Sequence, residues 1–240
     1  MSHDPAMGPL HVVARHLLAL ALGCCISVAA SAETVTLSGE RFDLSYDSAQ
    51  LGLLGAPALV GDTVVFAPLL FKAESLDGAG NVINDQSFAF QLLPHAGLRV
   101  DGLGFTEQGS WRLSGAQSDV NVRGGLQAGF TARGAVPLAD FLRVNGFFSP
   151  NGGASEPWSA AVALNLAGSS AADQAQGIAV LLQSGLQGYT RPTDVGLRIA
   201  SIETVGALQL SVSVVPEPAT WGLMLAGLAA VTRAARRRRY

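Results

Sequence analysis

The chain has 240 residues, of which only 14% are charged and 28 are glycine. An average soluble domain is about 25% charged, so this composition argues against a charge-laced helical protein or a disordered chain and for strands joined by turns. The formal net charge of −3 is unevenly spread: residues 33–215 hold nine basic and sixteen acidic side chains, net −7, a sign that repels phosphate backbones and disfavours nucleic acid as a partner.

Residues 1–32 have the order of a secretory signal peptide. A polar lead-in closes at Arg15 and His16, an apolar run follows from Leu17, and Ala30-Ser31-Ala32 supplies small residues at the spacing signal peptidase needs. Cleavage before Glu33 is expected, with the Sec translocon and signal peptidase as partners. Leu22-Gly23-Cys24 is a weaker match to a lipoprotein signal, because Ala21 stands where such signals prefer Leu. Both cysteines, Cys24 and Cys25, precede the cleavage point. The exported body therefore lacks disulfides, thiolate chemistry and Cys-ligated metal, and rests on its hydrophobic core.

From residue 33 to 215 apolar residues alternate in short runs, which is the period of half-buried strands. Phe42, Leu44 and Tyr46 share one face, as do Val64 and Phe66, and Phe88, Phe90 and Leu92. Leu98 with Val100, Trp111 with Leu113, and Val120 with Val122 follow, then the stripe Leu126, Ala128, Phe130, Ala132. The longest stripe runs through Trp158, Ala160, Val162, Leu164 and Leu166, and the last candidates are residues 196–200 and 207–215. Turn chemistry is read at Asp77-Gly78-Ala79-Gly80-Asn81, at Arg123-Gly124-Gly125 and at Ser149-Pro150-Asn151-Gly152-Gly153. Residues 170–187 admit a short helix capped by Ser170 or a strand over residues 177–182. One all-β domain is expected, an antiparallel sandwich of jelly-roll type.

Candidate sites in this body are sparse. Its one histidine, His95, follows Pro94 in an apparent turn; Ser110 and Ser169 are the serines a His-based nucleophile would need, yet no Gly-x-Ser-x-Gly elbow is present. Residues 77–85 gather Asp77, Asn81, Asn84 and Asp85, oxygen ligands of the kind calcium takes, without the spacing of an EF-hand loop. Asp43 with Asp47, or Glu107 with Asp119, would serve glycoside hydrolysis only if placed roughly 5–10 Å apart across a cleft. Trp111, Trp158 and Tyr189 would make a sugar-stacking platform if they shared one exposed face. The plainer reading of each is solubility, turn or core. No catalytic residue, cofactor or metal site is assigned.

The carboxyl terminus, residues 216–240, carries more information. Pro216-Glu217-Pro218 leads into Ala219-Thr220-Trp221, an apolar run from Gly222 to Val231, then Arg233 and Arg236, Arg237, Arg238 and Arg239. The uncharged stretch 218–232 would span about 22 Å as a helix, against about 30 Å of hydrocarbon. Trp221 at one end and snorkelling arginines at the other would make a short transmembrane helix. The arginines would stay cytoplasmic and hold the body outside, the side to which the signal peptide sends it.

In these residues the chain resembles proteins with the PEP-CTERM sorting signal of exopolysaccharide-producing Gram-negative bacteria. The resemblance covers about a tenth of the chain and rests on the order of Pro-Glu-Pro, short Gly/Leu/Ala helix and arginine end. It implies an exosortase, a membrane-embedded cysteine transpeptidase-like enzyme, that recognises Pro216, Glu217 and Pro218, removes the tail, and leaves the body at the cell surface or outside the cell. It implies transient residence in the inner membrane and extracellular polysaccharide as a partner. The bodies of such proteins are diverse, so no activity follows from it. The expected role is a structural or adhesive matrix component, not an enzyme, with a carbohydrate-binding module or glycoside hydrolase as the alternative.

Overall fold

The computed structural model describes residues 33–130, 137–192 and 196–237. The signal-peptide residues Ala30 and Ala32, the end of the Leu126 stripe at Ala132, and Arg238 and Arg239 lie outside them. Strands dominate: β1 Thr34–Ser38, β2 Phe42–Asp47, β3 Ala58–Val60, β4 Thr63–Phe66, β5 Lys72–Leu76, β6 Gly80–Pro94 and β7 Leu98–Ser114 in the first half. The second half holds β8 Ser118–Phe130, β9 Leu138–Phe141, β10 Arg143–Val144, β11 Glu156–Asn165, the one-turn helix α1 Ala171–Gln174, β12 Ile178–Thr190, β13 Ile199–Thr204, β14 Leu208–Pro216 and the terminal helix α2 Pro218–Arg237.

The strands form two antiparallel sheets. One runs β1-β2-β6-β12-β8-β9; the other runs β10-β11-β7-β14-β4-β3, with β13 and β5 extending it beside the far half of β7. This is the all-β sandwich that the alternating pattern called for. The inward stripes close on one core in which Phe42, Phe66, Phe71, Phe88 and Phe105 are fully buried, each stabilising by about 1.5–3 kcal/mol relative to exposure. Phe88 of β6 ties the layers together. Its ring lies 5.3 Å edge-on from Phe66 of β4 in the opposite sheet and 5.3 Å from Tyr46 on the neighbouring strand.

Several strands are longer than the turn-spaced reading suggests. Gly124 and Gly125, read as a turn, lie inside the 13-residue β8. A Cβ on Gly124 would meet the Gln183 carbonyl oxygen at 2.2 Å, so glycine there serves close backbone approach and not chain reversal. Leu98 with Val100 and Trp111 with Leu113 belong to one 17-residue strand, β7. Its pairing with β14 slips by one residue at Asp101. The bulge moves the inward row from Val100 to Leu103, Phe105, Glu107, Trp111 and Leu113.

Two local predictions resolve cleanly. Asp77 and Gly78 have φ of 47° and 84°, and the Ala79 amide donates to the Leu76 carbonyl. That is the primed turn which an Asp-Gly pair favours between hairpin strands. Residues 170–187 are both things in succession. Ser170 and Asp173 form a reciprocal capping box on α1, Gly177 turns at φ 98°, and β12 follows.

Candidate functional site

The carboxyl-terminal motif grows directly out of the fold. β14 is an interior strand, and its side chains Leu208, Leu210, Val212 and Val214 are buried in the core. The pairing with β7 continues to its last residue, Pro216, opposite Leu98. One position on, the Glu217 amide donates to the Gly97 carbonyl at 3.0 Å. Arg41 reinforces this corner, with its guanidinium donating to the Val214 carbonyl at 3.3 Å and to Asp62 at 2.9 Å. Pro216 has no amide hydrogen to give a ladder, which suits it to a strand end, and Pro218 opens α2 at the position where a fixed φ and a missing amide hydrogen cost least. Pro-Glu-Pro is thus a junction with no spacer: its first half is sheet and its last residue is helix.

Beyond the junction α2 runs twenty residues. Every side chain from Gly222 to Arg233 is exposed, Leu223, Met224, Leu225, Leu228 and Val231 among them. Nothing among the described residues covers this stretch of the helix. Among the described residues no helix is long and apolar enough to cross a membrane. The expected short transmembrane helix has no support as a full span, because Arg233, Arg236 and Arg237 sit within its last turns and shorten the apolar part.

The body's candidate residues are placed separately. His95 contacts the Glu40 carbonyl at 3.1 Å through Nδ1 and the Asp43 carboxylate at 3.2 Å through Nε2, tying the β6–β7 turn to the start of β2. The Ser110 hydroxyl donates to Glu203 and the Ser169 hydroxyl to the Leu166 carbonyl, so neither serine faces that imidazole. Asp47 accepts from the Ala49 amide. The oxygens of residues 77–85 diverge: Asp77 accepts from the Arg198 amide, Asn81 from Gln187, and Asp85 from Arg123, while Asn84 donates to the Lys72 carbonyl. No group of three or more metal-ligating side chains is found among the described residues.

Trp111 and Trp158 are buried. Trp111 stands edge-on to Phe148, and the Trp158 indole donates to the Glu203 carbonyl at 3.1 Å. Tyr189 lies on the outer face of the other sheet, opposite Asn81 and Asp119. The three make no shared platform.

Glu107 is the surprise among the carboxylates. It points into the sandwich and is 1% exposed, while Asp119 faces solvent from β8. Ser184 of the opposite sheet donates to one of its oxygens at 2.6 Å and Thr204 to the other at 2.5 Å. Burial pushes its carboxyl above the ordinary range, and the two hydroxyls only partly offset this. Sequence alternation does place residue 107 on the inward row with Phe105, but a single Glu in a strand gives no sign that two hydroxyls wait for it. Sequence reasoning also missed a groove on the outer face of the six-stranded sheet, lined in part by Phe141, Arg123 and Gln183. Its residues come from four strands and share no local motif.

Fold and tail together give a two-sheet β body continuous with an exposed apolar helix that ends in arginines. Residues 214–239 match the PEP-CTERM protein-sorting motif. The chain thus carries this sorting motif at its carboxyl end, and the motif indicates an exported protein processed by an exosortase. Comparison with curated proteins finds no match.

Proposed function

We propose that the processed body is a structural or adhesive component of the extracellular polysaccharide matrix. On this reading residues 1–32 direct export, residues 33–215 are the working domain, and residues 216–240 are a temporary hold. Pro216, Glu217 and Pro218 are the recognition residues, and Arg233 with the residue 236–239 run is the cytoplasmic stop. One observation carries the proposal: the sorting junction is continuous with β14, so whatever is released ends on the sandwich itself. The apolar face of the helix, exposed from Gly222 to Arg233 among the described residues, supports a passing stay in the inner membrane. A binding role is favoured over hydrolysis because Glu107 and Asp119 face opposite environments, and Asp43 and Asp47 each have their own structural partner.

The test is fractionation of cells making wild type or a variant with all three motif residues changed to alanine. Wild type is expected in the matrix, shortened at its carboxyl end, and co-sedimenting with polysaccharide. The variant should stay full-length in the membrane fraction. Normal release of the variant would remove the processing reading, and wild type free of polysaccharide would remove the adhesive one.

A further inference from the structure

The outer face of the six-stranded sheet carries two adjacent rows of side chains. Phe141, Gly125, Gln183 and Ser87 lie in register across β9, β8, β12 and β6. Beside them run Arg123, Gly185 and Asp85. Side chains in register on one face stand about 4.5–5.5 Å apart, so each glycine leaves a gap in its row.

The two gaps differ. Over Gly185 the Arg123 guanidinium meets Asp85 through both carboxylate oxygens, and a Cβ there would strike the carboxylate at 2.1 Å. A planar, mutually neutralised pair therefore lies flat on the sheet. Over Gly125 the edge strand β9 leans in, since a Cβ would come within 2.3 Å of the Asp140 carbonyl oxygen. β9 ends at this point, and Phe141 stands as the wall with 74% of its surface exposed. The result is a groove of about 430 Å³, within the range of small-ligand sites, about 300–1,000 Å³.

We infer that this groove binds a neutral polysaccharide segment, with Phe141 stacking on a sugar ring and Gln183, Ser87 and the Arg123–Asp85 pair addressing its hydroxyls. The inference rests on the adhesive reading above and gives it a site. A pyranose presents an apolar C–H face and a rim of hydroxyls, and the groove offers one aromatic face beside groups that both donate and accept. The occupant is neutral because Asp85 and Arg123 cancel and the body's net charge of −7 disfavours a polyanion. A protein partner fits less well, since the groove holds one aromatic among polar groups where interface cores are more apolar.

The test uses the processed, secreted protein in affinity electrophoresis through the neutral polysaccharide fraction of the matrix of the cells that secrete it, with alginate as the polyanionic control. Phe141→Ala should weaken binding about fivefold, as loss of an aromatic contact worth roughly 1 kcal/mol implies, and Gln183→Ala should weaken it less. Phe147→Ala, at a residue 98% exposed outside the groove, should change nothing. Because Phe141 is exposed, its variant should melt as wild type does. Equal retention of wild type and Phe141→Ala overturns the groove while leaving the adhesive reading in place. Wild type that is not retained removes both. Loss of self-association in Phe141→Ala without loss of retention reassigns the face to a protein contact and overturns the inference.

Discussion

At Glu107 a single carboxyl links the two sheets, with hydroxyls from β12 and from the end of β13 converging on it. Its pKa is raised in the folded protein, chiefly by burial, and ordinary, about 4.3, in the unfolded chain. The folded state then holds a proton that the unfolded state has already lost, so stability falls as pH rises from the unfolded value through the folded one. Below about pH 4 the penalty is absent. Glu107→Gln keeps the shape and loses the charge. We expect it to raise the melting temperature at neutral pH and to match wild type near pH 4, with thermal melts across that range as the measurement. A variant equally destabilised at all pH values would show that Glu107 ionises freely inside the core. Glu74 is of the opposite kind: its hydrogen bond to Lys72, ahead of charge contributions from Lys72 and Arg112, holds its carboxyl below the ordinary range. It is partly exposed and paired at the surface, where such ion pairs contribute little.

At the scale of elements, β14 sets where the tail may be cut. It is hydrogen-bonded on both sides, to β7 and β4, and its inward side chains are core. A chain ending at Glu217 retains the whole ladder and should melt like the full-length body. A chain ending at Ser211 loses Val212 and Val214, both buried, together with more than half the pairing to β7. Removing two such side chains costs about 3–6 kcal/mol, a large part of the 5–15 kcal/mol that typically holds a domain. Guanidinium titration of the two truncations measures this, and equal midpoints would show that β14 is dispensable. Mature protein whose carboxyl end falls at or after residue 217 is the matching outcome in cells. Gln174 shows a second device at this scale. From α1 its side chain both accepts from the Val100 amide and donates to the Val100 carbonyl, each at 2.7 Å, standing in for a strand partner where β7 bulges.

For the whole molecule, the stabilising term is burial between two sheets, without disulfide in the exported body and without a metal cluster among the described residues. The side-chain oxygens of Asp77, Asn81 and Asp85 already have protein partners. EDTA should accordingly leave the melting temperature of the secreted protein unchanged, and calcium should not raise it. A rise of several degrees with calcium would mean that the hairpin rearranges around an ion.

The address and the secondary-structure class are local properties, and the sequence by itself determined them. Pro-Glu-Pro, an apolar run and arginines act in order along the chain, and period-two alternation reports strands wherever one face is buried. The turn at residues 77–80 followed from Asp-Gly for the same reason. What lies across the sandwich was decided only by tertiary structure. Glycines read as breaks lie inside β8 because Gln183 of β12 crowds Gly124 and Asp140 of β9 crowds Gly125. The bulge at Asp101 reverses which residues of β7 face inward. Trp111 and Trp158 fill the core while Phe141 is left outside, a choice made by where β9 ends. Glu107 is buried because the inward row of β7 carries it under Ser184, on a strand far along the chain. Each of these depends on pairing between segments distant in sequence, and no single segment encodes its partner.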